Sequence, residues 1–244
     1  MHSDPRNRDP CDHNPEIPVE PRRQQALGNT LGVVMAAGFS RRFGCDDKRT
    51  VQLAGGGTLL GTTLAAIKPA FTDCRGRCLL AAVIRPQESP SALGIPDECM
   101  VLRAPNAVQG LGASIADAIR AVQENPRLKP IHSVAILLGD MPAIRADTAA
   151  NLLRYSSAAS IVRPRYRGRL GHPVLFGRDL WSDLRGISGE DGARQVIAAH
   201  SQALIVVDVE DEGILLDIDR AEDIHRAMSP RPGTVKASGA MLEE

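Results

Sequence analysis

Residues 33–49, VVMAAGFSRRFGCDDKR, leave a short apolar run and at once place two glycines, a serine, four basic residues and two aspartates. Ala36, Ala37 and Gly38 are small enough for a ligand to lie against the main chain, and the N–H groups of such a loop can form an anion-binding concavity. Ser40 adds a hydroxyl. Arg42 can fork onto phosphate oxygens, and Lys48 can act as a point charge on a phosphoryl group in transfer. The pattern is not a Walker motif, since no G-x-x-x-x-G-K-[ST] occurs. An ordinary charged surface loop is the competing account.

Four further stretches carry polar groups at informative places. In AILLGDMP (135–142) a buried run ends at Asp140, where a divalent metal would meet phosphates; a turn or capping aspartate is the plainer alternative. In ILLDIDRAED (214–223) Asp217 and Asp219 alternate, which predicts one face of a strand. Two such like charges are uncomfortable without a cation, and capping of a helix from Arg220 accounts for only one of them, most naturally Asp219. Mg²⁺ commonly takes one or two carboxylates plus substrate phosphates. QGLGASIADAI (109–119) sets Gly110 and Gly112 before an amphipathic helix whose N-terminus would favour an anion or a polar ligand edge. Ile115 spoils it as a dinucleotide fingerprint, and a glycine turn with Ser114 at the helix start also explains it. VRPRYRGRLGHP (162–173) alternates Arg163, Arg165, Arg167 and Arg169: the wet face of a hairpin, or a landing site for a second, phosphorylated substrate. His172 reads equally as a ligand contact or a satisfied loop histidine.

These residues must be held by elements, and the chain supplies them in alternation. LGVVMA (31–36), CLLAAVI (78–84), CMVLRA (99–104) and SVAILLG (133–139) are nearly continuous apolar runs, as strands buried on both faces of a parallel sheet are. Between them, residues near 58–69, 112–124 and 146–155 show helical apolar spacing. The alternation predicts a doubly wound α/β sheet, with ligands at the carboxyl ends of its strands. From about 159 the pattern changes: residues 159–176 predict a hairpin turning at Gly168 or Gly171, followed by a helix at 190–200 and apolar runs at 203–209 and 213–219. Residues 1–28, punctuated by five prolines, and 229–244 are expected as disordered tails around a folded 29–228, with a nucleotide-binding half at 29–157 and an acceptor half at 158–228.

Composition narrows the classes of function. Hydrophobic residues make up 43% and charged ones 24% of 244 residues, as in ordinary globular proteins. Lys+Arg and Asp+Glu each total 29, so no overall field favours nucleic acid or a membrane surface, and 3% aromatics argue against base-stacking platforms. No run approaches the roughly 18 apolar residues of a membrane span. Five irregularly spaced cysteines read as free thiols, and the expectation is a cytoplasmic protein.

Taken together and in order, these stretches resemble the nucleotidyltransferase family that includes molybdenum cofactor cytidylyltransferase and guanylyltransferase. The opening motif L-A-A-G-x-S-x-R-M-G stands here as residues 35–44, with Phe43 for methionine and Lys48 following after three residues where many members have two. G-M-G-x-S stands as Gly110–Ser114, G-D-M-P as Gly139–Pro142 and G-H-P as Gly171–Pro173. GEDGAR (189–194) and DIDRAED (217–223) match G-D-x-G-A-R and D-I-D-T-P-E-D, with Arg220 and Ala221 in place of Thr-Pro. The resemblance covers roughly 31–228. It implies a three-layer α/β/α, Rossmann-like nucleotidyltransferase fold with a mainly parallel sheet and a small hairpin-containing acceptor lobe. It implies that Ala36, Ala37, Gly38 and Ser40 approach the nucleotide, that Arg42 and Lys48 hold its phosphates, and that Asp140 binds Mg²⁺ with Asp219 as second ligand. Gly110, Gly112 and Ser114 would contact the base or the acceptor, and Arg163 and His172 the acceptor. Ala37, where the guanylyl branch tends to carry glycine, favours CTP. The implied partners are CTP, a molybdopterin-type phosphorylated acceptor, and a molybdoenzyme or its chaperone. Guanylyl transfer, another phosphorylated acceptor, and a non-catalytic cofactor-delivery protein are the alternatives.

Overall fold

The computed structural model describes residues 29–39, 47–53, 56–219 and Asp223. Both expected tails, and the candidate residues Ser40 and Arg42, lie outside the described residues.

Four strands, β1 (Thr30–Met35), β2 (Leu80–Ile84), β3 (Met100–Arg103) and β4 (Ser133–Leu138), pair in parallel in the order β3-β2-β1-β4. Val33 of β1 stands opposite Ala81 on one side and Ile136 on the other. Every residue of β1 is buried, because helices cover both faces. On one face Leu31, Val33, Ala81, Val134 and Ile136 join a core with Ile115 and Ile119 of α2 (Leu111–Glu124). On the other, Val34, Leu80, Ala82 and Leu137 pack with Leu60 and Leu64 of α1 (Leu59–Ile67) and Leu152 of α3 (Ala146–Leu153). A continuous apolar strand has no wet face, so only a layer on each side can satisfy it. Thr58 caps α1 by accepting the Gly61 N–H at 3.0 Å.

Beyond α3 the sheet turns mixed. Strand β5 (Ile161–Tyr166) meets β6 (Arg169–Leu170) through Arg167 and Gly168, both at positive φ, as a two-residue hairpin requires. The turn is therefore at Gly168, while Gly171 lies against the main chain of Ile214. Strand β7 (Val174–Gly177) runs antiparallel to both β4 and β5, and β8 (Leu204–Asp208) runs parallel to β5. The eight strands form one open sheet, β3-β2-β1-β4-β7-β5-β6, with β8 on β5. Two short helices, α4 (Trp181–Leu184) and α5 (Arg194–Ala199), add to the α2 layer through Trp181, Leu184 and Val196.

One sequence expectation is corrected. Residues 213–219 do not form a strand: a 3-10 turn spans Glu212–Leu215, and the chain continues to Asp219 outside any ladder. Its backbone groups are taken instead by two tethers. His172 N–H donates to the Ile214 carbonyl at 2.9 Å, and Ile218 N–H donates to the Asp140 carbonyl at 2.9 Å. Among the described residues, Cys74, Cys78 and Cys99 are free thiols, and no helix is long and apolar enough to cross a membrane.

Candidate active site

A cavity of about 740 Å³ opens at the carboxyl ends of β1 and β4. Ala36, Ala37 and Gly38 form one wall as the chain leaves β1, and Gly139 and Asp140 form another as it leaves β4. Gly139 N–H donates to the Met35 carbonyl at 3.0 Å, holding the two strand ends side by side. Lys48, Gly110, Ser114, Asp217 and Asp219 also line it. Residues from both halves of the sequence thus share one space.

Lys48 is the electrostatic centre of this arrangement. Its ammonium donates to Asp140 Oδ2 at 2.5 Å, to the Ile218 carbonyl at 3.2 Å and to Asp219 Oδ1 at 3.4 Å. Burial works against its charge, but Asp140 and then Asp219 outweigh it and hold the ammonium above the usual lysine value. Asp217 shows the opposite stress. Burial, and then the charges of Asp140 and Asp219, push its carboxyl above the ordinary range, against the pull of its own main chain and of Lys48. The tether from Ile218 to Asp140 is what brings both aspartates here, so they share the cavity without sharing a strand.

Arg49, which sequence reasoning did not single out, is the anchor of the loop. It is 4% exposed, and its guanidinium reaches the Ala36 carbonyl, Asp47 and Glu88 together. Arg85 also donates to Glu88, from its main-chain N–H at 2.7 Å and from Nε at 2.9 Å, and lays its guanidinium over Phe39, 4.6 Å from the ring centre. The chain after β1 is thereby clamped to the chain after β2, and the adjacent Lys48 is aimed inward. Nothing in a run of mixed charges distinguishes the buried arginine from its neighbours; the signal is tertiary.

The glycines before α2 are explained by packing as well as by the cavity. Gly110 sits at φ +101°, and a Cβ there would come within 2.6 Å of the Gly189 main chain. A Cβ on Gly112 would come within 2.7 Å of the Ser188 carbonyl oxygen, and its N–H donates to the Gly189 carbonyl at 2.8 Å. Gly110 lines the cavity, whereas Gly112 meets the 188–189 backbone. Ser114 is buried and donates to the Gly110 carbonyl at 3.3 Å while lining the cavity. This docking carries two residues absent from the sequence-based candidates, Glu190 and Arg194, to the cavity wall.

Arg163 is half-buried on β5 and donates from Nε to the Gly171 carbonyl at 3.3 Å. His172, next in the chain, has a buried Nδ1 with no hydrogen-bond partner among the described residues. Burial foremost lowers its affinity for a proton, and Arg163 adds to that, opposed by the main chain of Ile136 and by Asp217. Neither residue belongs to the cavity lining, although the charges of Arg163 and of Asp217, which does line it, both act on His172.

The donor set fits a divalent cation. Asp140 Oδ1 is buried with no hydrogen-bond partner among the described residues, although Oδ2 is paired with Lys48. A buried carboxylate oxygen left in this way is costly, and a hard cation is a natural complement. Among the described residues no group of three or more His, Cys, Asp or Glu forms a metal cage by itself. Asp140 and Asp219, which share the cavity, could hold Mg²⁺ or Mn²⁺ with phosphate oxygens and water filling the remaining positions.

The family described as the MobA-like NTP transferase domain matches residues 32–204. Among solved structures, the homologue of Mycobacterium tuberculosis Rv0371c from Mycobacterium sp. strain JC1 is 26% identical, with a TM-score of 0.64 over 81% of this chain and 94% of that one. Rv0371c of M. tuberculosis H37Rv, in a crystal structure with manganese, is 22% identical, with a TM-score of 0.59 over 82% and 97%. The molybdopterin-guanine dinucleotide biosynthesis protein A of Archaeoglobus fulgidus is 18% identical, with a TM-score of 0.56 over 81% and 96%. No curated protein matches the chain in sequence.

Proposed function

This chain belongs to the MobA-like NTP transferase domain family, and on that premise we propose that it transfers CMP from CTP to the terminal phosphate of a molybdopterin-type acceptor. The supporting observation is the cavity itself, where a small-residue loop, an inward lysine and an aspartate with one oxygen unpaired among the described residues meet. Ala36, Ala37 and Gly38 offer main-chain proximity to the triphosphate; Ser40 would approach the nucleotide and Arg42 hold its phosphates. Lys48 leaves Asp140 for the phosphates once these arrive. Asp140 and Asp219 would hold Mg²⁺, which when bound would neutralise charge on the phosphates.

In the proposed step an oxygen of the acceptor phosphate bonds to the α-phosphorus of CTP. The bond from that phosphorus to the bridging oxygen of the β-phosphate breaks, and pyrophosphate leaves with the electron pair. Such chemistry needs positioning and charge neutralisation rather than a covalent nucleophile. Ala37, where the guanylyl branch of the resembled family tends to carry glycine, supports cytosine over guanine. The product, a molybdopterin cytosine dinucleotide, would pass to a cytoplasmic molybdoenzyme or its chaperone.

Pyrophosphate release tests this reading. The purified protein is given Mg²⁺ and CTP, GTP or UTP, each with and without molybdenum-loaded molybdopterin. Release with CTP and the cofactor together is expected. Preference for GTP would replace the donor, and nucleotide binding without turnover under any pairing would leave a binding protein instead of an enzyme.

A further inference from the structure

Among the described residues, the arginines that are buried or half-buried have carboxylates, Arg163 excepted. Arg165 pairs with Asp208 at 2.6 Å, Arg120 with Asp117 at 3.0 Å, and Arg49 with Asp47 and Glu88. Arg163 is different. It is half-buried, its hydrogen bond goes to the Gly171 carbonyl, and among the described residues no carboxylate pairs with it. A cation kept partly out of water without a counter-charge is a costly thing to build.

Its surroundings indicate what completes it. Ile161, two residues earlier and so on the same face of β5, packs in the core that Ala193, Val196 and Ile197 share. Arg163 therefore stands on the side of the sheet that α5 covers, and the first residue of α5 is Arg194. Arg194 lines the cavity with Lys48 and Asp140. Its own carboxylate contact, to Asp191, is 3.6 Å long and exposed, and so worth little. The guanidinium of Arg163 holds its proton less firmly than usual, from burial first and from the positive charge of Arg194 second. Two like charges thus act on each other on the side of the sheet that α5 covers, and His172, next to Gly171, has a buried Nδ1 with no hydrogen-bond partner among the described residues.

We propose that Arg163 and Arg194 form a clamp for the phosphate of the acceptor, a phosphomonoester dianion held between β5 and the cavity wall at Arg194. The assignment deepens the transferase reading above and rests on it. Guanidinium forks match the oxygens of such a group. The clamp also gives a purpose to the close docking of residues 188–189 on Gly110 and Gly112, since that docking carries Arg194 to the cavity wall.

The test is calorimetric binding of inorganic phosphate and of 6-hydroxymethylpterin phosphate to the full chain saturated with Mg²⁺ and a non-hydrolysable CTP analogue. The analogue fills the triphosphate and leaving-group positions, so the phosphate that still binds reports the acceptor side. Wild type is expected to bind the phosphomonoester, with Arg163→Ala and Arg194→Ala each weakening it tenfold or more and Arg163→Lys less. The Kd of the CTP analogue should stay within twofold in all three. No binding by wild type, or unchanged binding in the exposed Arg194→Ala, which leaves the core untouched, would overturn the clamp. An equal loss of the CTP analogue would overturn it too, by making these arginines part of the donor site. Pyrophosphate release by wild type is measured in parallel. If turnover occurs but the variants bind phosphate normally, the clamp fails and the transferase stands. If phosphate binding falls in the variants while no acceptor is turned over, the clamp stands and the transferase reading fails.

Discussion

Lys48 and Asp140, 92 residues apart in the chain, are joined by a 2.5 Å ion pair at the meeting point of two strand ends. The ammonium is also within reach of the Ile218 carbonyl and Asp219, so a cation already sits among three oxygen groups. Both partners are mostly screened from water, which makes the pair stronger than a surface bridge and its rupture more costly. If this is where charge is neutralised in the reaction, neither partner can be spared. Lys48→Ala and Asp140→Ala are each expected to cut pyrophosphate release by about 100-fold or more, the scale of losing one preorganised electrostatic group. Far-UV circular dichroism should be unchanged. Near-normal turnover in either variant would place the active site elsewhere.

The same ion pair sets the terms for metal binding. A divalent ion approaching Asp140 without nucleotide has to compete with an ammonium already there, whereas a triphosphate offers Lys48 another anion. Wild type is therefore expected to bind Mn²⁺ weakly alone and several-fold more tightly with the CTP analogue. In Lys48→Met the first value should tighten and the difference between the two should shrink. Electron paramagnetic resonance of free Mn²⁺ reads both. Weaker Mn²⁺ binding by the nucleotide-free variant than by wild type would show that the lysine does not compete for the site.

Asp217 gives a pH dependence of definite sign. Burial, and then Asp140 and Asp219, raise its carboxyl above the ordinary value, so the native protein binds this proton more tightly than the unfolded chain does. Raising pH from about 3.9, where an unfolded aspartate titrates, through the raised native value therefore costs stability, and above that window the cost is constant. Asp217→Asn removes the anion. In metal-free protein the variant should melt above wild type at pH 7, and the gain should vanish as pH falls towards 3. Mg²⁺ with the CTP analogue should narrow the gap at pH 7. A variant that melts below wild type at pH 7 would mean that the carboxylate is stabilising where it stands.

The sheet was legible because its signal is local. Leu31–Ala36 and Ser133–Gly139 are apolar on both faces, and each falls within a residue of its strand. The first four strands pair in parallel as expected, and the helices predicted near 58–69 and 112–124 stand at Leu59–Ile67 and Leu111–Glu124. The 213–219 run misled because alternation describes side chains, whereas its backbone partners, His172 and Asp140, come from distant loops that no period reports. Arg49 was hidden for the same reason, and Arg194, although it ends the GEDGAR stretch, had no role assigned to it. One is buried by Glu88 and the Ala36 carbonyl, and the other is brought to the cavity by a loop resting on two glycines. Chemistry-bearing types stand out in a sequence; the residues that aim them are visible only once the chain has folded.

Gly112 offers the sharpest test of how that loop is held. A methyl group there would meet the Ser188 carbonyl oxygen at 2.7 Å, its carbon at 2.8 Å and Cα at 3.0 Å, all main-chain atoms that cannot rotate away. The residue also donates its N–H to the Gly189 carbonyl at 2.8 Å, and Gly189 N–H donates to the Gln109 carbonyl at 3.0 Å, so the two segments are laced together. Gly112→Ala must push residues 188–189 outward. Such overpacking costs about 1–3 kcal/mol, and each kcal/mol lowers the melting temperature by about 2–4 °C in a domain of this size. Gly186→Ala, whose new methyl group would meet only the Asp183 carbonyl at an ordinary 3.5 Å, should be close to neutral. With Arg194 displaced, the KM for the acceptor should rise in Gly112→Ala while binding of the CTP analogue changes little. If Gly112→Ala melts with wild type and keeps its acceptor KM, the contact between α2 and residues 188–189 does not hold Arg194 in the site.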